Sequence, residues 1–266
     1  MKRRNFLFTS ALSAVLTVVA VACANPNSSS ESGKKLVMVT SADYPPYEFV
    51  DSSSGSQEIV GFDVEIAKAI TEELGYDLEI QNIDFNGLIP ALQAKRADFV
   101  MAGMTPTEER KQNVDFSDIY YEAKNTIVTV KGSGLTTAES LNGKLVGVQL
   151  GSIQEGVAKK IQGANVKPLN RINEMIQELK AGRVDALIME DTVAKGYVEI
   201  NPDLEFNVIP SEGESGSAIA FPKGSELTPE FNRVLAEMKS SGQIEELVTK
   251  WFGEESPATQ AEETAN

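Results

Sequence analysis

Lys35-Leu36-Val37-Met38-Val39-Thr40, followed by Phe62, Ile66, Ile70 and Leu74 at every fourth position and then by Gly75, is the stretch that decides the fold. The first run is rich in β-branched residues and predicts a strand. The second puts its apolar side chains on one stripe of a helix, with the glycine as C-terminal cap. The same alternation recurs downstream. Residues 77–83 predict a strand, 87–95 a helix and 97–102 a strand. Thr105-Pro106-Thr107-Glu108 then predicts a capping box with proline at the first helical position. After Gly132-Ser133-Gly134 the pattern restarts, with a strand at 144–149, a helix opened by Ser152, a helix at 172–182 and a strand at 184–189. A strand at 205–209, an apolar run at 218–221 and helices carrying Phe231, Leu235, Met238 and residues 244–252 complete it. Repeated strand–helix alternation indicates an α/β protein, helices packed on mostly parallel sheets. Two such blocks predict two lobes, and ligands of open α/β sheets lie beyond the strand C-termini.

The ends of the chain read differently. Met1-Lys2-Arg3-Arg4 precedes an apolar run over residues 6–22 that only Thr and Ser interrupt, the pattern of a secretory signal peptide over 1–22. Cys23, the only cysteine, follows Ala20-Val21-Ala22 directly. This segment resembles a bacterial lipobox, which implies lipidation of Cys23 and an exported protein held at the outer face of the cytoplasmic membrane or in the periplasm. Ala20 departs from the usual leucine, and Ala20-Val21-Ala22 also suits ordinary signal peptidase, so free secretion stays open. Residues 23–33 predict a lipidated cysteine and flexible tether, and 254–266 a disordered polar tail.

Composition excludes several functions. The 266 residues carry a formal charge of −15. Removing Lys2, Arg3 and Arg4 with the signal takes it to −18, which argues against nucleic acid and against electrostatic binding to anionic lipid. There is no histidine, so serine–histidine and cysteine–histidine catalysis are out and most zinc sites with them. No Gly-rich phosphate loop is present. No metal and no cofactor are expected, and membrane contact only through the lipid.

From residue 41 the chain resembles a known family. The motifs are Ser41-Ala42-Asp43-Tyr44-Pro45-Pro46-Tyr47-Glu48-Phe49, Gly61-Phe62-Asp63, residues 84–92, residues 102–110 and Val114-Asp115-Phe116-Ser117. Gly147-Val148-Gln149-Leu150-Gly151-Ser152, Gly182-Arg183-Val184-Asp185-Ala186, Gly224-Ser225 and Lys250-Trp251-Phe252-Gly253 continue in order across residues 35–253. Together they are similar to the amino-acid-binding proteins of polar amino-acid importers, the bacterial extracellular solute-binding proteins of family 3. That resemblance implies the type II periplasmic-binding-protein fold, two α/β lobes joined by two hinge strands. Lobe one is expected over 34–126 plus 221–253 and lobe two over 132–216, with crossings near 126–131 and 216–221. It also implies a monomer that hands a free amino acid to the permease subunits of an ABC importer without acting as an enzyme.

An amino acid removed from water needs partners for its carboxylate and its ammonium. Arg110 suits the carboxylate, because a guanidinium grips both oxygens at once. Composition by itself would leave it a solvated arginine beside Glu108, Glu109 and Lys111, and the family motif makes it a ligand residue. Thr105 at a helix mouth and Ser152, Ile153 and Gln154 at the start of the lobe-two helix offer further donors. The resemblance assigns the ammonium to Asp191, which by itself reads as a helix N-cap. Gly103 allows close backbone approach, and Tyr44 and Phe85 are expected to sandwich the ligand side chain. Ser41, Asp43 and Gln149 are possible contacts to that side chain. Glu190, beside Asp191, adds a carboxylate that favours guanidinium or ammonium groups. The expected ligand is therefore arginine, lysine or ornithine, with glutamine or another polar amino acid as the alternative. A carboxylate-dependent dehydratase on the same fold, and a sensor acting through a separate receptor, are the rival functions.

Overall fold

The computed structural model describes residues 34–53, 55–210, 215–253 and 256–258. The predicted signal peptide, Cys23 and the tether lie outside the described residues, among which no helix is long and apolar enough to cross a membrane.

The first block runs β1 (Lys35–Thr40), β2 (Asp43–Tyr44), β3 (Glu48–Asp51), β4 (Glu58–Val60), α1 (Phe62–Glu73) and β5 (Asp77–Asn82). It continues with α2 (Leu88–Gln93), β6 (Phe99–Val100), α3 (Glu108–Lys111) and β7 (Val114–Phe116). The second holds β8 (Asn125–Val130), β9 (Leu145–Gln149), α4 (Ile153–Lys160), β10 (Asn165–Leu169), α5 (Ile172–Lys180), β11 (Ala186–Glu190), α6 (Asp191–Ile200) and β12 (Leu204–Val208). The chain then returns through β13 (Ala220–Pro222) to α7 (Leu227–Ser241) and α8 (Gln243–Phe252).

Each lobe is built on a five-stranded sheet, ordered β5-β1-β6-β13-β7 in lobe one and β10-β9-β11-β8-β12 in lobe two. In both, the strands alternating with helices run parallel: β1 with β5 and β6, and β9 with β10 and β11. The strand reached by a crossing runs antiparallel, β13 against β6 and β8 against β11. Helices cover the faces. Leu88 and Leu92 of α2 pack on Val39, Val100 and Ala220 of the first sheet, and Ala158 of α4 packs with Val146, Val148 and Ile188 of the second. This is the two-lobed periplasmic-binding-protein architecture.

Four local features differ from the sequence reading. Residues 125–130 belong to the second sheet, where β8 pairs with β11 and β12 and buries Ile127 and Val128. The crossing expected at 126–131 therefore lies earlier, and Tyr121 bridges to Ser217 on the returning strand. The N-cap of α3 is Thr107, whose hydroxyl accepts from Arg110 N at 3.2 Å, and not Thr105. A small antiparallel sheet β2-β3-β4 was illegible, since strands of two to four residues show too little alternation. Within the tail expected to be disordered, Ser256 and Ala258 are buried, and Ser256 Oγ donates to Trp251 O at 2.6 Å, satisfying one carbonyl at the end of α8.

The small sheet sets the entry to α1. Phe62 N donates to Pro46 O and Asp63 N to Tyr47 O, both at 3.0 Å, so backbone carbonyls satisfy helix donors that no side chain caps. Gly61 permits this approach: its φ is +138°, and a Cβ there would lie 2.2 Å from Tyr47 O. Gly61→Ala is expected to cost about 2–4 kcal/mol through strain and overpacking, read as a drop in the urea midpoint with an unchanged slope.

Candidate functional site

The C-terminal ends of the parallel strands of both sheets face one narrow cleft. Lobe one lines it with Tyr44, Phe85, Ala102, Gly103, Thr105 and Arg110, and lobe two with Gln149, Ser152, Ile153, Gln154 and Glu190. A second hollow at Pro45, Pro46, Trp251 and Phe252 has its opposite charges, Lys195 and Glu199, exposed to water.

Arg110 stands at the lobe-one side. Its Nη1 donates to Thr105 O at 2.8 Å, and its Nη2 crosses the cleft to Gly151 O at 2.9 Å. Its Cζ lies 5.4 Å from the centroid of the Phe85 ring, a cation–π distance. Both acceptors are neutral, so these bonds leave the charge uncompensated. Desolvation lowers its pKa to about 10, against the opposing pull of Glu109, and the group stays protonated at neutral pH.

Glu190 faces it from lobe two. It is the last residue of β11, and only 6% of it is exposed. Burial raises its pKa to about 8; the Asp191 and Asp63 carboxylates add to this, and the Tyr47 and Tyr44 hydroxyls oppose it. Its Oε2 has no hydrogen-bond partner, nor does the buried Nε2 of Gln149. The cleft thus holds a cation, an unmatched carboxylate oxygen and an unmatched amide donor, which is the complement of a small zwitterion.

The remaining predicted residues fall on both sides of that boundary. Ser152 caps α4, accepting from Glu155 N at 3.3 Å while its hydroxyl donates to Gln149 O at 2.7 Å. Gln154 Nε2 donates to Asn125 Oδ1 at 3.0 Å. Thr105 is buried, and its carbonyl holds Arg110. Gly103 has φ +54°, and a Cβ there would meet Tyr44 Cε1 at 3.1 Å, so the glycine lets the tyrosine ring lie over the backbone. Asp191 is not in the lining. As first residue of α6 it turns its Oδ1 to Lys124 N and Thr192 N, each at 3.0 Å. Asp43 and Ser41 are also outside it: Ser41 Oγ donates to Asp43 Oδ1 at 3.0 Å, and Asp43 Oδ2 accepts from Ile172 N.

Sequence reasoning missed Ala102 and Asp63. Buried Asp63 accepts from Gly103 N at 2.9 Å and from Tyr120 Oη at 2.8 Å, fixing the backbone under the ligand-sized space. Burial pushes its pKa to about 7 despite those two donors. The priority of Glu190 over Asp191 had a readable signal. The residue ending a parallel strand faces the site, and the next one begins the helix.

With this geometry in place, comparison with known proteins is informative. The model for bacterial extracellular solute-binding proteins, family 3, matches residues 36–254. The arginine-binding extracellular protein ArtP of Bacillus subtilis (strain 168) is 51% identical over 247 residues, covering 91% of this chain and 95% of that protein. An ancestral arginine-binding protein solved with arginine is 44% identical, with a TM-score of 0.78 over 84% of this chain and 100% of that one. The structure of an ancestral arginine-binding protein with glutamine is 45% identical, with a TM-score of 0.76 over 83% of this chain and 98% of that one.

The buried carboxyls have a consequence for stability. Glu190 and Asp63 hold protons more tightly folded than unfolded, where their ordinary values are 4.5 and 3.8. Between about pH 5 and 8 the native state therefore binds more protons, and ligand-free stability is expected to fall as pH rises. Carboxylates with lowered pKa, such as Glu178 at about 2, finish titrating below that window. Thermal melts across pH 5–8 should show the decline, and Glu190→Gln should flatten its upper part.

Proposed function

The chain belongs to the bacterial extracellular solute-binding proteins, family 3, and on that premise we propose that it captures a free basic amino acid, arginine foremost, and delivers it to the permease subunits of an ABC importer. The observation that carries the reading is the pairing on separate lobes of the Arg110 guanidinium with the buried Glu190 carboxyl, which gives up its proton when an ammonium arrives, both facing one cleft. Arg110 exchanges its carbonyl acceptors for the α-carboxylate, and Glu190 takes the α-ammonium, the role the resemblance had assigned to Asp191. Each group is costly to bury unmatched. A zwitterion spanning both lobes matches both, so the closed form is favoured by contacts available only there. Tyr44 and Phe85 take the apolar stem of the side chain, and Gln149 and Gln154 its polar end.

The names of the similar proteins support arginine over other ligands of this charge pattern. Glutamine is the second reading, favoured by the unmatched Gln149 amide and by the similar protein solved with glutamine. The cycle needs no bond-making chemistry, in keeping with relatives that are binding proteins. Export follows from the family, and the finer part of the proposal is that Cys23 carries a lipid that keeps the protein beside its importer.

Titration calorimetry on protein stripped of bound amino acid by unfolding and refolding tests this reading. Arginine should bind more tightly than glutamine, and glutamate weakly. Arg110→Ala and Glu190→Gln should each cost about 2–5 kcal/mol of binding by leaving the opposite charge unpaired. Asp191→Asn should change affinity by no more than about threefold, being held by its own helix. Tighter binding of glutamine would move the ligand class, and an intact affinity in Glu190→Gln would remove the ammonium assignment. For the anchor, Cys23→Ser should release the protein into the medium, and fatty-acid label should be lost with it.

A further inference from the structure

Helix α5 of lobe two has no cap of its own. The residue at its N-cap position is Arg171, whose side chain accepts no hydrogen bond, and in the first turn Asn173 Oδ1 accepts only from Glu174 N, at 2.7 Å, leaving Ile172 N without a partner in its own segment. Leading N–H groups of a helix need an acceptor, and the dipole there favours an anion. That acceptor comes from the other lobe. Asp43 Oδ2, in β2 of lobe one, accepts from Ile172 N at 2.6 Å across 129 residues of sequence. Arg171 reinforces the contact from the same turn. Its Nη2 lies 2.6 Å from Asp84 Oδ1, and its Nη1 lies 3.6 Å from Asp43 Oδ1 and donates to Asn82 Oδ1 at 3.2 Å. Tyr197 of α6 adds a bond from its hydroxyl to Asp43 O at 3.2 Å.

None of these residues lines the cleft, and all of the partners lie on opposite lobes. We infer that Asp43 and Asp84 on lobe one, with the N-terminus of α5 and Arg171 on lobe two, form a latch that holds the lobes together without touching the bound solute and so sets how fast it is released. Opening separates the lobes and returns α5 to an uncapped state, with Arg171 and both aspartates exposed to water. Closure restores an N-cap and charge-assisted bonds together, so the latch adds to ligand contacts in the closed form only. Asp43 is thereby reassigned: its carboxylate is occupied by a helix terminus and is not free to read a ligand side chain.

The inference rests on the reading of the protein as an opening and closing binding protein. It is tested with Arg171→Ala, Asp84→Asn and Asp43→Asn in the purified protein, with circular dichroism confirming the fold. Asp84 is 43% exposed and so is the safest position to alter. Stopped-flow release of arginine should quicken by about threefold to tenfold in Arg171→Ala, which loses the cross-lobe ion pairs and the bond to Asn82, and less in Asp84→Asn, which loses one ion pair. X-ray scattering without ligand should show a larger radius of gyration in Arg171→Ala than in the unaltered protein. The arginine-to-glutamine affinity ratio should stay unchanged in Asp43→Asn. Unchanged release together with unchanged ligand-free dimensions would overturn the latch. A shifted affinity ratio in Asp43→Asn would overturn it as well, by making Asp43 a ligand contact. If the unaltered protein binds no amino acid, the proposed function fails, while the scattering comparison still decides whether these contacts hold the lobes closed.

Discussion

The chain passes between the lobes twice, and the two passages are tied to one another. Ser217 N donates to Tyr121 O at 2.7 Å and Tyr120 N to Ser217 O at 2.9 Å, so the crossings form a short antiparallel ribbon. On the lobe-one side, Ser117 N donates to Ile219 O and Ile219 N to Ser117 Oγ, both at 2.9 Å. A ribbon held this way resists sliding of one lobe past the other and leaves rotation as the soft motion. Gly216 makes the pairing possible. Its φ is +94°, and a Cβ would lie 2.6 Å from Ile119 Cγ2 and 3.0 Å from Tyr121 O. Every cross-cleft contact depends on this constraint, since it brings the C-terminal strand ends of two separate sheets into the same space.

Electrostatics explains why that space is sensitive to what fills it. Desolvation is the largest cause of the raised pKa of Glu190, Asp63 and the fully buried Glu48; Asp63 further raises the other two, and Glu190 raises Glu48. Asp63 Oδ2 takes two donors and so positions Gly103 and Tyr120. Below them lies an aromatic layer, in which Tyr44 stacks on Tyr47 at 5.6 Å and Tyr121 on Phe252 at 4.5 Å. Such a floor supplies apolar surface and rigid shape with few rotatable bonds. The acids beside it are held toward their protonated forms by burial, with the Glu190 carboxylate disfavoured until a cation reaches it. In the proposed function, that mismatch is what the incoming ammonium corrects.

The helices were largely legible. The stripe Phe62, Ile66, Ile70 predicts α1, and all three residues are fully buried on its inner face. Longer parallel strands were legible for a similar reason, β1 and β9 being continuous apolar runs. Shorter elements were not. β6 spans two residues and α3 four, too few for a period to repeat. The family resemblance implies a crossing near 126–131, but Asn125–Val130 is a strand of the second sheet. Its place in the sheet is decided by pairing with β11 and β12, partners 59 to 82 residues away.

The site divides along the same line. Sequence by itself determined the alternation of strands and helices and the absence of histidine chemistry. These follow from composition and local order, which the chain carries before it folds; Arg110, Gly103, Thr105 and the start of α4 are marked only by the family resemblance of their motifs. Tertiary structure decided which acid faces the cleft and which does not. Glu190 and Asp191 are neighbours, but one ends a strand and the other begins a helix that occupies its carboxylate. It also decided that Asp43 caps a helix of the opposite lobe. A side chain's direction depends on where its backbone sits in a sheet and on what lies across the gap, and neither is written within a few residues of it.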